Sequence, residues 1–410
     1  MKDKNDYIIG IDLGTTNSCS AMFINNKLEI IPDPLTGKKI IPSVVCYMKN
    51  NEVLVGQLAV QKQIEYSQST IFESKRFIGH KFKDPEVQFD LQTHRLYVSV
   101  AEDTTTKKAI YVLKIENEND KKFVFPEDVA SEIIKYIKNN AEKHLKNILN
   151  KVITINKAVI TVPTHYNEYS INTVKEAFKK ANLSVVNVIK EPEAIGIAYG
   201  YFHKKEKPTI ILTIDIGGGT FGMSILQLQG DTYKIIDSEG SGHLGGDDFE
   251  KALRDYIIYE MEKSKKYNLD FKNRKDTNWV RAFLKIKEES SKVITELSKQ
   301  NSVKFEIKQL DRKNDFTINI SQEKYKELTQ SLLNKCETKL KNLFDKAEIN
   351  KKKVKYSDID EIILVGGTTR APNIKEIVEK LFTGKQIFQN LNADEAVAQG
   401  AAIFAKDYKK

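Results

Sequence analysis

Cysteine is scarce in this chain, and long apolar segments are missing. Only three of the 410 residues are cysteine, and their wide spacing fits neither a disulfide framework nor a zinc site: Cys19, Cys46 and Cys336. No apolar run approaches the roughly 20 residues of a membrane-spanning helix, and residues 1–6 do not form a signal peptide. These absences predict a soluble protein without a membrane partner. We expect it in the cytoplasm, or in an organelle lumen if a leader has been removed.

The basic character of the chain does not extend to a nucleic-acid surface. The net charge is +9, but the lysines are scattered among glutamates and lack interleaved aromatic residues. We therefore expect no nucleic-acid partner. Hydrophobic residues make up 40% of the chain, enough for a sizeable core, and the length indicates two or more domains.

One glycine-rich turn organises the sequence. The apolar run 209–214 predicts a buried strand, which leads into Asp215 and then into three glycines at 217–219. Glycine lets backbone N–H groups approach a bound anion, and a carboxylate just upstream could hold a hydrated cation. On its own, such a segment is more often an ordinary turn than a nucleotide site.

A second copy of this turn lies near the N-terminus. Residues 7–11 predict a strand that ends at Asp12 and continues into Gly14, Thr15 and Thr16. Internal self-similarity of this kind indicates a duplicated fold. Two such turns facing each other across a cleft could grip a polyphosphate from both sides, with the two aspartates flanking one Mg²⁺.

The second half of the chain holds a third strand-to-glycine turn. The strand 362–365 leads into Gly366 and Gly367 and then into Arg370, so the backbone could lie against a flat base on which the guanidinium stacks. A further glycine-rich loop at 240–248 precedes a helix. The chain closes with a helix of small residues at 392–402, which suits close packing between lobes.

Between these turns, strands and helices alternate in the manner of an α/β protein. The predicted elements are a hairpin over 87–125 with a charged turn at 116–120, a helix from Pro126, a strand 158–162, a helix 168–182, a strand 185–189, a charged linker 204–208, helices over 249–299 broken near 269–276, strands 303–309 and 316–320, and a helix from Ser321. The apolar stripe of the helix after Pro126 is core: Val129, Ile133, Ile137, Ala141, Leu145 and Ile148. We expect Cys336 to be a buried apolar residue and His165 to make a local hydrogen bond.

Taken together, these stretches resemble the ATPase domain of the heat shock 70 kDa chaperone family. They occur in the family's order and span nearly the whole chain: 10–19, 75–79, 159–163, 191–192 with 198–200, 215–221, 243–248, 365–372 and 394–402. The resemblance implies an actin-like α/β fold, with two lobes that each have a β-sheet core and an accessory subdomain around a central nucleotide cleft. The implied divisions are lobe I at 1–207 (insertion about 41–125), lobe II at 208–395 (insertion about 248–330), and a closing helix at 396–410 that returns to lobe I.

The resemblance also assigns roles around bound ATP or ADP. Two loops would hold the phosphates: Gly14, Thr15, Thr16 and Asn17, and Gly217, Gly218, Gly219 and Thr220. Asp12 and Asp215 would hold hydrated Mg²⁺ and neighbouring K⁺. Lys75, which without the resemblance would be taken for a surface lysine, would reach the γ-phosphate and help to position the attacking water. Glu191 would orient that water or the metal's shell, and Thr220 is the third catalytic candidate. The nucleoside side would be lined by Ser298, Gly366, Gly367, Thr369, Arg370 and Asp394. Phosphoryl transfer needs mainly positioning and charge stabilisation, for which such groups are chemically sufficient.

Three departures from the family pattern bear on this interpretation. Gly222 stands where the family has an aspartate beside the phosphate and cation site. In the helix that clamps the base, Ser291 and Ile294 stand where the family has Glu and Lys. Lys190 and Glu193 replace Asn and Thr around Glu191 and Pro192.

We therefore carry more than one functional hypothesis. The first is an ATP-driven chaperone switch, slow in hydrolysis, whose peptide-binding domain is outside this chain, either because the chain is truncated or because the protein lacks it. The second is a regulatory or exchange-factor-like relative with little hydrolysis, and the third a sugar kinase or filament protein of the same fold. For the first, the resemblance implies unfolded peptide substrates, a J-domain cochaperone and a nucleotide-exchange factor, and we expect a monomer.

Overall fold

The computed structural model describes most of the chain. It covers residues 7–93, 98–115, 121–230, 232–271, 273, 276–370, 372–389, 391–392 and 394–408, while the side chains of residues 93, 370, 372, 373, 407 and 408 lie outside the description. The charged turn predicted at 116–120 also lies outside the described residues.

The first half of the described chain contains a large sheet, two small sheets and five helices. In order these are β1 (Ile8–Asp12), β2 (Asn17–Ile24), β3 (Lys27–Ile30), β4 (Ile41–Pro42), β5 (Val45–Tyr47), β6 (Val53–Val55), α1 (Gln57–Lys62), β7 (Thr70–Ile71), α2 (Pro85–Thr93), β8 (Ser99–Glu102), β9 (Ala109–Lys114), β10 (Lys121–Val124), α3 (Pro126–Leu149), β11 (Lys157–Val162), α4 (Glu168–Lys180), β12 (Ser184–Lys190) and α5 (Glu191–Phe202). A 3₁₀ turn, Ser74–Phe77, lies between β7 and α2.

The second half repeats this arrangement around another large sheet. Its elements are β13 (Lys205–Ile216), β14 (Phe221–Gly230), β15 (Thr232–Ser241), α6 (Gly246–Ser264), α7 (Thr277–Leu297), β16 (Ser302–Ile307), β17 (Phe316–Ser321), α8 (Gln322–Lys346), β18 (Glu348–Ile349), β19 (Lys352–Lys353), β20 (Glu361–Val365), α9 (Pro372–Leu381), β21 (Gln386–Phe388) and α10 (Ala396–Tyr408). A 3₁₀ turn, Gly367–Arg370, follows β20.

The two large sheets have the same topology. Their strand orders are β3-β2-β1-β11-β12, with β4 added beside β2, and β15-β14-β13-β20-β21. In each sheet the central strand, β1 or β13, pairs antiparallel with the strand that follows it and parallel with one from later in the chain. This repetition confirms the predicted duplicated α/β fold. It also gives the turns at Asp12 and Asp215 equivalent positions, since each lies at the end of a central strand.

The smaller sheets lie where accessory insertions were expected. Strands β6-β5-β7 and β10-β9-β8 form two small sheets between β4 and α3, and the β16-β17 hairpin lies between α7 and α8. The lobe boundaries themselves remain predictions.

Helices α5 and α10 pack between the two large sheets. Their small residues belong to one buried cluster together with apolar side chains of β1, β11, β13 and β20, including Ala194, Ala198 and Ala401. A Cβ atom on Gly400 would overlap the carbonyl group of Ala194. The closing helix therefore packs closely at this interface, as its small residues predict.

Several local predictions were wrong. Residues 205–208 are not a linker but the start of β13, and a register shift before Thr209 accommodates Pro208 in the strand. Lys205 is held there by Glu361, 2.7 Å away. Residues 87–93 belong to helix α2 rather than to a hairpin, although β8, β9 and β10 do pair as predicted. On α3, Ile148 is 41% exposed, while the rest of the stripe is buried, because the stripe passes beyond the core at the end of the helix.

No helix among the described residues is both long and apolar enough to cross a membrane.

Candidate active site

The two glycine turns touch each other at the centre of the molecule. A Cβ atom on Gly218 would overlap the side chain of Thr16, and one on Gly219 would lie 2.7 Å from Thr15 Cγ2. Only glycine permits this approach, because any side chain would push the two turns apart. Thr16 Oγ1 also donates a hydrogen bond to Asp247 Oδ2 at 3.3 Å. The predicted facing arrangement is therefore present.

The loop before α6 supports the second turn from behind. The backbone N–H of Gly246 donates to Gly217 O at 2.8 Å, and that of Asp247 donates to Gly218 O at 2.6 Å. These bonds use backbone groups of the loop at 240–248, which the sequence singled out without a role. They hold the turn at 217–219 in one conformation against α6.

A cavity of about 400 Å³ opens at this junction. Most of the predicted site residues line it: Asp12, Gly14, Thr15, Thr16, Asn17, Lys75, Glu191, Asp215, Gly217, Gly218, Thr220, Gly366, Gly367 and Asp394. Three of the predicted residues do not line the cavity. Gly219 packs on Thr15, Thr369 is buried and donates through Oγ1 to Gly366 O, and the exposed Ser298 donates to Thr295 O. The side chain of Arg370 lies outside the described residues.

A buried ion pair lies at the meeting point of the two turns. Lys75 Nζ is 2.6 Å from Glu191 Oε1, and each side chain is 7% exposed. Lys75 comes from the 3₁₀ turn, where Tyr166 donates a hydrogen bond to its carbonyl oxygen at 3.0 Å, and Glu191 is the first residue of α5. Burial alone would lower the pKa of Lys75, but the charges of Glu191, Tyr166 and Asp12 raise it above its usual value. Lys75 therefore remains an ammonium ion.

Two further carboxylates lie beside this pair. Burial raises the pKa of Asp12 to about 7, an effect that Lys75 opposes and Glu191 reinforces. Burial, Glu191 and Asp12 together raise the pKa of Asp215 well above its usual range. Three carboxyl groups thus face a single ammonium group, and a bound cation would offset the excess negative charge.

The donor set fits Mg²⁺ better than it fits a cation that is fully enclosed by protein. Within the described residues, no three His, Cys, Asp or Glu side chains are grouped so that they could hold a metal ion. Mg²⁺ characteristically keeps several waters and takes one or two carboxylates plus substrate phosphates. Asp12, which keeps some exposure to the cavity, and the buried Asp215 could supply those carboxylates.

On the side where the resemblance places the base, Ser291, Ile294 and Thr295 line the cavity along one face of α7. Ser291 Oγ donates a hydrogen bond to Glu250 Oε2 at 2.9 Å. Opposite them, Gly366 has a φ of +93°, and a Cβ there would overlap the backbone of Ile216, so only glycine fits.

Sequence reasoning missed several charged residues at the cleft, among them Lys287 and Glu73. Lys287 lines the cavity, and its Nζ lies 3.0 Å from Glu73 Oε1. Lys287 lies one helical turn before Ser291, so helical periodicity could have identified it. No sequence pattern could have identified Glu73, because its position depends on a left-handed backbone conformation, with φ of +55°.

The structure shows the surroundings of two residues that depart from the family pattern, Gly222 and Glu193. Gly222 lies opposite Asp215 across the β13-β14 pair, and a Cβ there would make only an ordinary contact, 3.4 Å from Pro192 Cδ. Glu193 does not line the cavity. It caps α5 by accepting a hydrogen bond from Lys190 N at 3.2 Å.

The local hydrogen bond expected for His165 is absent from the contacts of the described residues. Its ring instead packs edge-on against Tyr166, and its Nε2 would be 2.8 Å from a Cβ on Gly242.

Comparisons with known proteins cover almost the entire chain. A family model described as Hsp70 protein matches residues 8–408. The chaperone protein dnaK of Cyanidium caldarium is 34% identical over 402 residues, which is 97% of this chain and 60% of that relative. The chain thus spans about three fifths of the length of this curated relative.

Proposed function

This chain belongs to the Hsp70 family, and on that premise we propose that its cleft binds Mg-ATP and hydrolyses it slowly to ADP and phosphate. The observation that carries the proposal is the buried Lys75–Glu191 pair at the contact between two glycine turns, with Asp12 and Asp215 beside it. Each part of this arrangement answers a requirement of phosphoryl transfer: anion binding, charge neutralisation and positioning of water.

We assign each step of binding and hydrolysis to named groups of this chain. Backbone N–H groups of the two glycine turns bind the phosphates, and Lys75 places its ammonium charge at the γ-phosphate. Glu191 accepts a hydrogen bond from the attacking water and orients it. Thr220, whose Oγ1 is 3.5 Å from Glu191 Oε2, helps to hold that carboxylate. Mg²⁺ held by Asp12 and Asp215 would neutralise phosphate charge, and K⁺ would occupy a neighbouring position.

The proposed hydrolysis needs only ATP and water as reactants. The water oxygen forms a bond to the γ-phosphorus while the bond to the bridging oxygen breaks, and the electron pair of that bond stays with ADP. The water's proton passes to the cleaved phosphate.

Nucleotide turnover would work as a conformational switch. Mg-ATP closes the two lobes on the phosphates, and loss of the γ-phosphate relaxes them. We propose that a peptide-binding domain outside this chain receives this signal, and that unfolded peptides, a J-domain cochaperone and a nucleotide-exchange factor are the partners. We also propose a monomer in the cytoplasm, where its three buried, unpaired cysteines stay reduced.

A second candidate function is nucleotide binding with little hydrolysis. Gly222 favours it, because the position opposite Asp215 carries no carboxylate. Ser291 favours it as well, since its hydroxyl bonds to Glu250 within the protein.

Binding and turnover separate the two candidates. Calorimetry with Mg-ATP and Mg-ADP measures affinity, and steady-state phosphate production measures turnover. Binding with turnover supports the switch, whereas binding without turnover supports the second candidate. Absence of binding contradicts both, and phosphorylation of a hexose would instead favour a sugar kinase.

A further inference from the structure

A second cavity opens at the reacting end of the cleft. It has a volume of about 330 Å³ and shares Thr15, Lys75 and Thr220 with the nucleotide cavity. Those three residues surround the place proposed for the γ-phosphate. At the other end of the second cavity, Glu86 and His165 are exposed. The cavity therefore runs from the reacting atoms to solvent by a path that avoids the base side of the cleft.

Imidazole groups are concentrated in this second cavity. Three of the chain's six histidines line it: His80, His165 and His243. His80 Nδ1 lies 3.4 Å from Asp84 Oδ2, and His243 Nε2 lies 3.1 Å from Asp90 Oδ1. Each of these two rings is therefore held through one nitrogen and makes no second hydrogen bond to a described residue. The other ring nitrogen can serve a ligand, as an acceptor from a phosphate hydroxyl while the ring is neutral and as a donor once the ring is protonated.

Of the three histidines, His165 is the one whose ring nitrogens are both available to a ligand. Its side chain is exposed to the cavity and makes no hydrogen bond within the part of the chain that the structure describes. The wall next to it is fixed, because Arg76 Nη1 donates to Gly242 O at 3.0 Å. A donor that no described residue engages, beside a fixed wall, can bind a small, multiply hydrogen-bonding anion without a large rearrangement.

The charge balance of the cavity favours weak binding. The Arg76 guanidinium is already shared with Glu73 at 3.4 Å and Asp248 at 3.5 Å. Glu86 adds a negative charge at the solvent end. An anion entering from the reacting end thus finds hydrogen-bond donors first and a repelling carboxylate last, an arrangement that suits passage rather than storage.

We propose that this second cavity is a binding site for inorganic phosphate, and that phosphate cleaved from ATP leaves through it. The first part of this proposal, phosphate binding, is argued from the cavity and its imidazoles. The second part, phosphate exit, also depends on the proposed hydrolysis. Nucleotide then stays in the main cleft while phosphate departs past His165.

The binding part is tested with inorganic phosphate added to the protein while an uncleavable ATP analogue and Mg²⁺ occupy the main cleft. Imidazole NMR signals of His80, His165 and His243 should shift on titration, and that of His144, which pairs with Glu29, should not. His165→Phe should weaken phosphate binding about tenfold, the value of one hydrogen bond to a charged group, and His144→Phe should not. Absent shifts, or equal weakening by both substitutions, would overturn the site.

The exit part is tested in a single turnover. Quenched samples report ADP formation, and a fluorescent phosphate sensor reports release. His165→Trp should delay release relative to cleavage, and His144→Trp should leave the two in step. Release that stays in step with cleavage in His165→Trp overturns the route. If wild-type protein cleaves no ATP, the proposed function fails instead, and the phosphate titration, repeated without nucleotide, still decides the binding site.

Discussion

Replacing Glu73 by glutamine tests the charge pair that joins the two sides of the cleft. Glu73 Oε1 lies 3.0 Å from Lys287 Nζ, with side-chain exposures of 8% and 26%. Glu73 precedes the 3₁₀ turn that carries Lys75, and Lys287 lies on α7. With the predicted lobe boundaries the two residues lie in different lobes, so we expect opening of the cleft to separate them. Glutamine keeps the size and hydrogen-bonding shape of the side chain but removes its charge.

The size of the effect follows from the surroundings of Lys287. Removing one partner of a fully buried ion pair costs about 3–5 kcal/mol. Here the loss is smaller, because Lys287 keeps some exposure and faces two more carboxylates. Although burial lowers the pKa of Lys287, Glu73, Asp247 and Glu250 together raise it above its usual value. We therefore expect the substitution to disfavour the closed cleft by about 1.5 kcal/mol, the lower end for a hydrogen bond to a charged group.

Release of a fluorescent ADP analogue measures this change. About 1.4 kcal/mol corresponds to tenfold, so Glu73→Gln should release ADP about tenfold faster than wild type. Glu376→Gln is a matched control, since the Lys326–Glu376 pair is slightly shorter, at 2.8 Å, but exposed, and exposed pairs contribute little. An unchanged release rate in a correctly folded Glu73→Gln protein would refute the idea that this pair holds the cleft closed.

Three other substitutions test separate parts of the account. Gly222→Asp should accelerate single-turnover hydrolysis with Mg²⁺ and lower the midpoint of thermal unfolding without it, since it adds a carboxylate where a Cβ fits; no change in either quantity would contradict the assigned cation site. Gly400→Ala should lower the free energy of unfolding by about 1–3 kcal/mol through overpacking against Ala194, as measured in urea, whereas Gly200→Ala, whose Cβ would lie 3.5 Å from its nearest neighbour, should not. Because the pKa of Asp12 is raised to about 7 in the folded state, the ligand-free protein binds the extra proton and should lose stability as pH rises from about 4 to about 7, by up to about 1.4 kcal/mol per pH unit for this group; Asp12→Asn should make the decline shallower and leave the part that comes from the raised pKa of Asp215, and an identical pH profile for both proteins would contradict this prediction.

The duplicated fold and about half of the cavity lining could be predicted from the sequence. A strand that ends in Asp and glycine is a local pattern, and its repetition identified the two central strands before their pairing was known. Lys75 was recovered only through the family resemblance, because nothing local distinguishes a buried lysine from an exposed one. Its burial depends on Glu191, which is 116 positions away in the chain.

The remaining features depend on tertiary contacts that no local pattern records. Pro208 and its charged neighbours have the composition of a linker, yet Lys205 pairs with Glu361 and the segment joins the sheet. Glu73 meets Lys287 only because the chain turns through a left-handed conformation next to the cleft. The histidine-lined cavity combines residues from five separate stretches of the chain.

Single-turnover hydrolysis of Mg-ATP by the wild-type chain and by Lys75→Met measures whether the buried Lys75 acts on the γ-phosphate. We expect wild type to convert bound ATP to ADP and phosphate, and Lys75→Met to bind ATP but to cleave it at least about 100-fold more slowly, because one charge-stabilising group is removed. Lys205→Met is the control, because it removes a lysine from a comparable pair, 2.7 Å from Glu361, outside the cavity. Equal rates for wild type and Lys75→Met, or no cleavage of bound ATP by wild type, would contradict the account.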